Sequence, residues 1–200
     1  MANKIFINYR RKESLKDARH LATLLDKAPF RGRVFIDTKG LDGASDWLHE
    51  LERQVAGSAA MISVICKDWI DIPADGGGRR IDLDDDFVRF ELAEAFRRRI
   101  PVIPVLVDGA RMPAADKLPP NLLLLSRPQA DPLRAETFEA DVAKIAARVQ
   151  NDIRLNSRRG LPGWVTGVIA AGALAAGTAA GPFVMPLVGV GPQVPPPTNS

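Results

Sequence analysis

Short unbroken apolar runs alternate with amphipathic stretches over the first 150 residues, and this alternation limits the fold more than any other feature. The first run, in "IFINYRR", is strand-like and ends abruptly in Arg10 and Arg11. "SLKDARHLATLLDKA" then sets Leu15, Ala18, Leu21, Ala22, Leu24 and Leu25 at roughly helical spacing. A short strand is expected over 33–36. Ala44 to Ala56 reads as a second helix carrying Trp47, Leu48, Leu51 and Val55 on one face. "AAMISVIC" is a third strand, and a long polar excursion leads from it into "DFVRFELAEAFRRR", a helix with Asp86 as its N-cap. "IPVIPVLV" reads as a fourth strand, "NLLLLS" as a fifth, and "AETFEADVAKIAARVQ" as the closing helix.

Continuous apolar strands separated by helices imply a parallel sheet covered on both faces. The expected fold class is α/β: a flavodoxin-like, doubly wound, five-stranded parallel sheet. Ligands of such sheets bind beyond the carboxyl ends of the strands at the switch point, here the ends of the first and third strands. The "YRR" corner falls there. The competing reading of Arg10 and Arg11 is a solvated pair with no ligand.

Charge divides the chain. Every Lys, Arg, Asp and Glu lies at or before Arg159, so the net charge of +3 belongs to the first part alone. Cations and acids interleave there without forming a basic stripe, which argues against a nucleic-acid partner. Beyond lies "WVTGVIAAGALAAGTAAGPFVMPLVGV", residues 164–190, an uncharged stretch long enough to cross a bilayer, where about 20 residues suffice. Trp164 is placed to anchor at the interface, and Arg154, Arg158 and Arg159 precede it, which orients the N-terminal domain to the cytoplasm. The expected organisation is a domain over 1–150, a basic juxtamembrane linker over 151–163, a single transmembrane segment over 164–190 and a Pro-rich tail over 191–200. A buried helix and an Ala/Gly/Pro tail are the competing readings of 164–190. Cys66 is the sole cysteine, which fits a reducing compartment and excludes a disulfide framework.

Among flavodoxin-like domains, a phosphoacceptor receiver needs acids after its first strand and an Asp ending its third. Here those places hold Tyr9-Arg10-Arg11 and Cys66-Lys67. A flavin carrier needs a Ser/Thr/Gly-rich phosphate loop, which "NYRRKES" does not supply, and Gly76-Gly77-Gly78 lacks a nucleotide-fingerprint spacing. Three longer pieces, "FINYRR", "VFIDTKGLDGASDWLHELERQVAGSAAMISVI" and "DFVRFELAEAFRRRIPVIPVLVDGARMP", stand in order, followed by "LP" at 118–119. In that order they resemble the TIR (Toll/interleukin-1 receptor/resistance) domain, particularly the bacterial kind, over nearly all of residues 3 to 150.

That resemblance implies one of two activities. Some TIR domains cleave the nicotinamide–ribose bond of NAD+, to hydrolysed or cyclic ADP-ribose, on self-assembly; others are scaffolds that pair with further TIR domains. The catalytic glutamate of the enzymatic class corresponds to Glu91, and the aromatic four residues before it is Phe87, where many relatives carry Trp. A carboxylate there suits the chemistry, because loss of neutral nicotinamide leaves an oxocarbenium-like ribose whose charge it stabilises. The plain alternative is an acid favoured near a helix N-terminus. The resemblance also turns Arg10 and Arg11 toward the pyrophosphate, a good match for a guanidinium fork, with Arg10 favoured. Tyr9 either lines the pocket or packs beneath it. Lys39 precedes Gly40 in the loop after the second strand, where many relatives have Lys directly before the Leu, and stands as a weaker phosphate contact. Trp69 is expected to bury itself beneath the polar excursion. The implied role is membrane-anchored defence or stress signalling, with NAD+ as substrate, no cofactor and no metal.

Overall fold

The computed structural model describes residues 4–27, 29–36 and 47–159. Lys39 and the expected membrane span over 164–190 lie outside them. Among the described residues no helix is long and apolar enough to cross a membrane.

Five parallel strands form one sheet: β1 (Lys4–Asn8), β2 (Val34–Ile36), β3 (Ser58–Ile65), β4 (Val102–Leu106) and β5 (Asp131–Pro132). Their order is β2-β1-β3-β4-β5, the doubly wound arrangement, with its switch point between β1 and β3. Four α-helices alternate with them: α1 (Leu15–Leu25), α2 (Trp47–Ala56), α3 (Phe87–Arg97) and α4 (Phe138–Arg159). Contacts pair α1 with α4 and α2 with α3, as expected for helices on opposite faces joined by right-handed crossovers.

The strand sequences account for the core. Ile5, Phe6 and Ile7 of β1 and Ala60 to Ile65 of β3 are almost wholly inaccessible, because both strands are covered on both faces. Ala18, Leu21, Ala22 and Leu25 turn the buried side of α1 inward, and Leu51 and Val55 do so for α2. Where the third helix stops is also sequence-determined. Arg99 takes φ 58°, its N–H donates to Phe96 O, and the Ile100 N–H reaches Ala95 O. That is a Schellman ending, and Pro101 follows it, so the chain cannot continue as helix and turns into β4.

Two expectations need adjustment. "NLLLLS" is not a strand: Pro120–Ser126 is a 3-10 helix, and the fifth strand is the two-residue β5 that follows it. The cause is the order of burial among the leucines. Leu122 and Leu125 are inaccessible while Leu123 and Leu124 are 46% and 40% exposed, a period of three that only a 3-10 turn satisfies. Pro120 at the first turn presets that geometry. The closing helix also runs on beyond the expected 150, without a break to Arg159.

Leu125→Ala should therefore cost about 2–5 kcal/mol of stability and Leu124→Ala no more than about 0.5 kcal/mol. Urea unfolding of the two variants checks this, since a strand covered on both faces would make the two losses similar.

Candidate active site

The carboxyl ends of the central strands open into a cleft of about 610 Å³. Its floor comes from the end of β1 and the turn after it, from Ile7 and Tyr9 through Glu13. The first turns of α3 give one wall, with Asp86, Phe87, Val88 and Glu91; Leu51 of α2 joins them. The opposite wall is the excursion after β3, through Ile72, Pro73, Asp75 and Arg80.

That excursion forms an ordered arm. Pro73 and Arg79 make an antiparallel bridge across a turn in which Gly77 and Gly78 take φ of 90° and 77°, a region that a side chain strongly disfavours. Trp69, at 1% exposure, and Ile81 bury the arm's two ends, as expected for Trp69. Arg79 secures it further by donating from Nη1 to Lys117 O at 2.9 Å.

Asp86 holds the mouth of the cleft together. Its Oδ1 accepts from the Arg89 N–H at 2.7 Å, the N-cap bond that starts α3. Its Oδ2 accepts from Arg10 Nη1 at 2.5 Å and lies 3.4 Å from Arg80 Nε. Arg10 is buried against the Trp69 ring, 5.6 Å from its centroid. Its Nε and Nη2, and Trp69 Nε1, are buried N–H donors with no acceptor among the described residues.

Glu91 sits one helical turn after Phe87, so both side chains fall on the same side of α3. Phe87 is 42% exposed and Glu91 only 8%. Glu91 Oε2 accepts from Asn8 Nδ2 at 2.7 Å. The same amide nitrogen donates to Val88 O at 3.2 Å, and Asn8 Oδ1 accepts from Ser63 Oγ at 3.0 Å. Asn8 and Ser63 are register partners on β1 and β3, and both are fully buried. Glu94, one turn further along α3, has a different setting. Arg97 bonds both its oxygens, at 2.6 and 2.7 Å, and Arg98 adds a contact, so the two guanidiniums hold its carboxyl below the usual range. Burial and the nearby Glu13 push the Cys66 thiol up, leaving it a poor nucleophile.

Five of the six residues singled out from sequence, Tyr9, Arg10, Arg11, Phe87 and Glu91, thus line a single cleft. Tyr9 both borders the cleft and packs in the core. Arg10 is tied to Asp86, while Arg11 is exposed at the cleft edge. Sequence reasoning missed Asn8, Ser63 and the arm residues Asp75 and Arg80. An uncharged polar residue interrupting each of two central strands was the available signal for Asn8 and Ser63.

A family model for the TIR domain matches residues 5–146. The chain belongs to the TIR domain family. Among solved structures, the TIR domains of the activated Roq1 resistosome directly recognizing the pathogen effector XopQ superpose on this TIR domain with a TM-score of 0.50. The match covers 76% of this chain and 99% of that one at 16% identity, a level at which the likeness speaks for the fold alone. No curated protein matches the chain.

Two outcomes follow from the charges of this TIR domain. Asp86→Ala removes a helix cap and leaves Arg10 buried without its partner, so a loss of about 3–5 kcal/mol in urea unfolding is expected. Asp86→Asn, which keeps the cap acceptor, should lose less. Glu94 has a depressed folded pKa, so its contribution is present above the ordinary carboxyl value of 4.5 and disappears as pH falls through the folded value. The gap in unfolding midpoint between wild type and Glu94→Gln should accordingly narrow as the solution is acidified below that value.

Proposed function

We propose that this TIR domain cleaves the nicotinamide–ribose bond of NAD+, with Glu91 as the catalytic carboxylate. The observation that carries the reading is the position of Glu91: nearly buried, held by Asn8, and one turn from an exposed aromatic in the cleft at the sheet's switch point.

The chemistry asks little else of the protein. When the C1′–N bond breaks, its electron pair leaves with nicotinamide, which departs neutral and needs no proton. Positive charge develops on the ribose, and an ionised Glu91 beside it stabilises the transition state more than the ground state. Water then adds to C1′ and releases a proton, or an adenine nitrogen adds instead and closes a ring. Phe87 offers a flat apolar surface to the nicotinamide or adenine ring. Arg11 and the orphan N–H groups of buried Arg10 suit the pyrophosphate. Among the described residues, four cations, Arg10, Arg11, Lys12 and Arg80, and four carboxylates, Glu13, Asp75, Asp86 and Glu91, line the cleft. Charges of both signs suit a dinucleotide that carries both a pyridinium and a pyrophosphate. Lys39 remains part of the proposal as a further phosphate contact.

The uncharged run 164–190 is proposed as a tether that leaves the domain, 1–150, in the cytoplasm, joined through 151–163 and followed by the tail 191–200. Its support is the sequence alone. Tethering concentrates TIR domains on a surface and favours the self-association through which TIR signalling in defence operates. The second reading is a TIR–TIR adaptor without chemistry, and the exposed apolar pair Leu123 and Leu124 favours it.

Chromatography of NAD+ and nicotinamide, with the protein concentrated on liposomes, separates these readings. Wild type should release nicotinamide, and Glu91→Gln should lower kcat by about 100-fold or more. Equal turnover by both proteins would remove Glu91 from the chemistry. No turnover even under crowding would favour the adaptor.

A further inference from the structure

Asn8 has no role in the reading above beyond being adjacent to Glu91, yet its bonding is fully determined. Two acceptors face one end of its amide: the Val88 carbonyl at 3.2 Å and Glu91 Oε2 at 2.7 Å. Neither can be served by an amide oxygen, so Nδ2 must lie on that side and Oδ1 on the other. There the Ser63 hydroxyl, 3.0 Å away, donates to Oδ1. The result is a directional chain, Ser63 O–H to Asn8 and Asn8 N–H to Glu91, running from β3 through β1 to α3. All its members are buried, where a satisfied network is strongest and an altered one most costly.

We propose that Asn8 is a positioning residue, which with Ser63 holds the Glu91 carboxylate ionised and in a single orientation toward the cleft. The proposal builds on the cleavage reading for its catalytic consequence, but the arrangement of Asn8 and Glu91 is testable without it. An N–H donated to a carboxylate stabilises the charged form and lowers its pKa. Removing that donor raises the pH at which Glu91 ionises, so activity that needs the anion is lost at a higher pH than in wild type.

Other charged groups among the described residues line the same cleft as Glu91. The turn after β1 brings Arg10, Arg11, Lys12 and Glu13; the arm brings Asp75 and Arg80; the cap of α3 brings Asp86. The α2 wall is apolar at Leu51, and β3 contributes the neutral Ser63. These groups are retained when Asn8 or Ser63 is replaced, so a change in Glu91 titration reports the hydrogen-bond chain. Asn8→Asp is the sharpest replacement. It conserves shape but sets a carboxylate against Glu91 Oε2 and the Val88 carbonyl, so one of the two acids must keep a proton.

The experiment is a carboxyl-carbon NMR titration of the full chain, with the Glu91 signal assigned from Glu91→Gln, beside pH–rate profiles for nicotinamide release. Asn8→Ala should raise the Glu91 midpoint by about one pH unit, with Ser63→Ala giving a smaller rise, while in Asn8→Asp the pair should share a proton so that one of its two carboxyls titrates well above the ordinary range. The acid limb of kcat should move with the midpoint, and kcat should fall about 10-fold or more with KM changed far less. Should Asn8→Ala fail to fold by circular dichroism, the isosteric Asn8→Asp and the peripheral Ser63→Ala carry the test. An unchanged Glu91 midpoint in folded Asn8→Ala or Ser63→Ala, or two ordinary carboxyl midpoints in Asn8→Asp, overturns the proposal, as does a moved midpoint with unaltered kcat in an active protein. If wild type releases no nicotinamide but the midpoint still moves, the cleavage reading falls and Asn8 stands as the group that fixes Glu91.

Discussion

One carboxylate ties the cleft corner of this domain together. Asp86 is at once the cap of α3 and the counter-ion of Arg10, using one oxygen for each. The pairing spans 76 residues of sequence, from the end of the first strand to the start of the third helix. Buried ion pairs seldom add much stability over an apolar alternative, but breaking one is costly. The pair therefore acts mainly as a specification of geometry. It fixes where α3 begins relative to the sheet, and so fixes which turn of α3 lies over Asn8. Arg80 brings the arm to the same carboxylate, so floor, wall and helix start all meet at one group.

The two acids of α3 sit in different settings. Glu91 and Glu94 are three residues apart and both nearly inaccessible. Glu94 is neutralised by two arginines from its own helix, which makes it part of the helix's ending. Glu91 takes a hydrogen bond from the sheet and lines the cleft. Composition and spacing alone give the two residues equal standing. Their partners distinguish them.

Strands and helices were largely legible because their burial is periodic. β1, β3 and β4 are predominantly apolar runs, and α1 and α3 show clear stripes and a readable cap. β5 escaped because Asp131 and Pro132 carry no apolar signal, while the leucine-rich segment before them imitates a strand. Within the site, Tyr9, Arg10, Arg11, Phe87 and Glu91 were accessible through family resemblance. Asn8 and Ser63 were not, since parallel strands distant in sequence acquire their register only in the folded sheet. The same holds for Arg10: a guanidinium after a strand reads as a ligand contact, and nothing local predicts that a distant helix cap claims one of its nitrogens.

The arm that walls the cleft is closed on itself, through the Pro73–Arg79 bridge and the glycine turn, and it enters and leaves the core at Trp69 and Ile81. Nothing in the sheet depends on the number of residues between those two anchors. Insertions or deletions near Gly76 to Gly78 would reshape the entrance while sparing the register that sets Asn8 beside Glu91. The shape of the cleft entrance is thus set separately from the strand register that places its innermost residues.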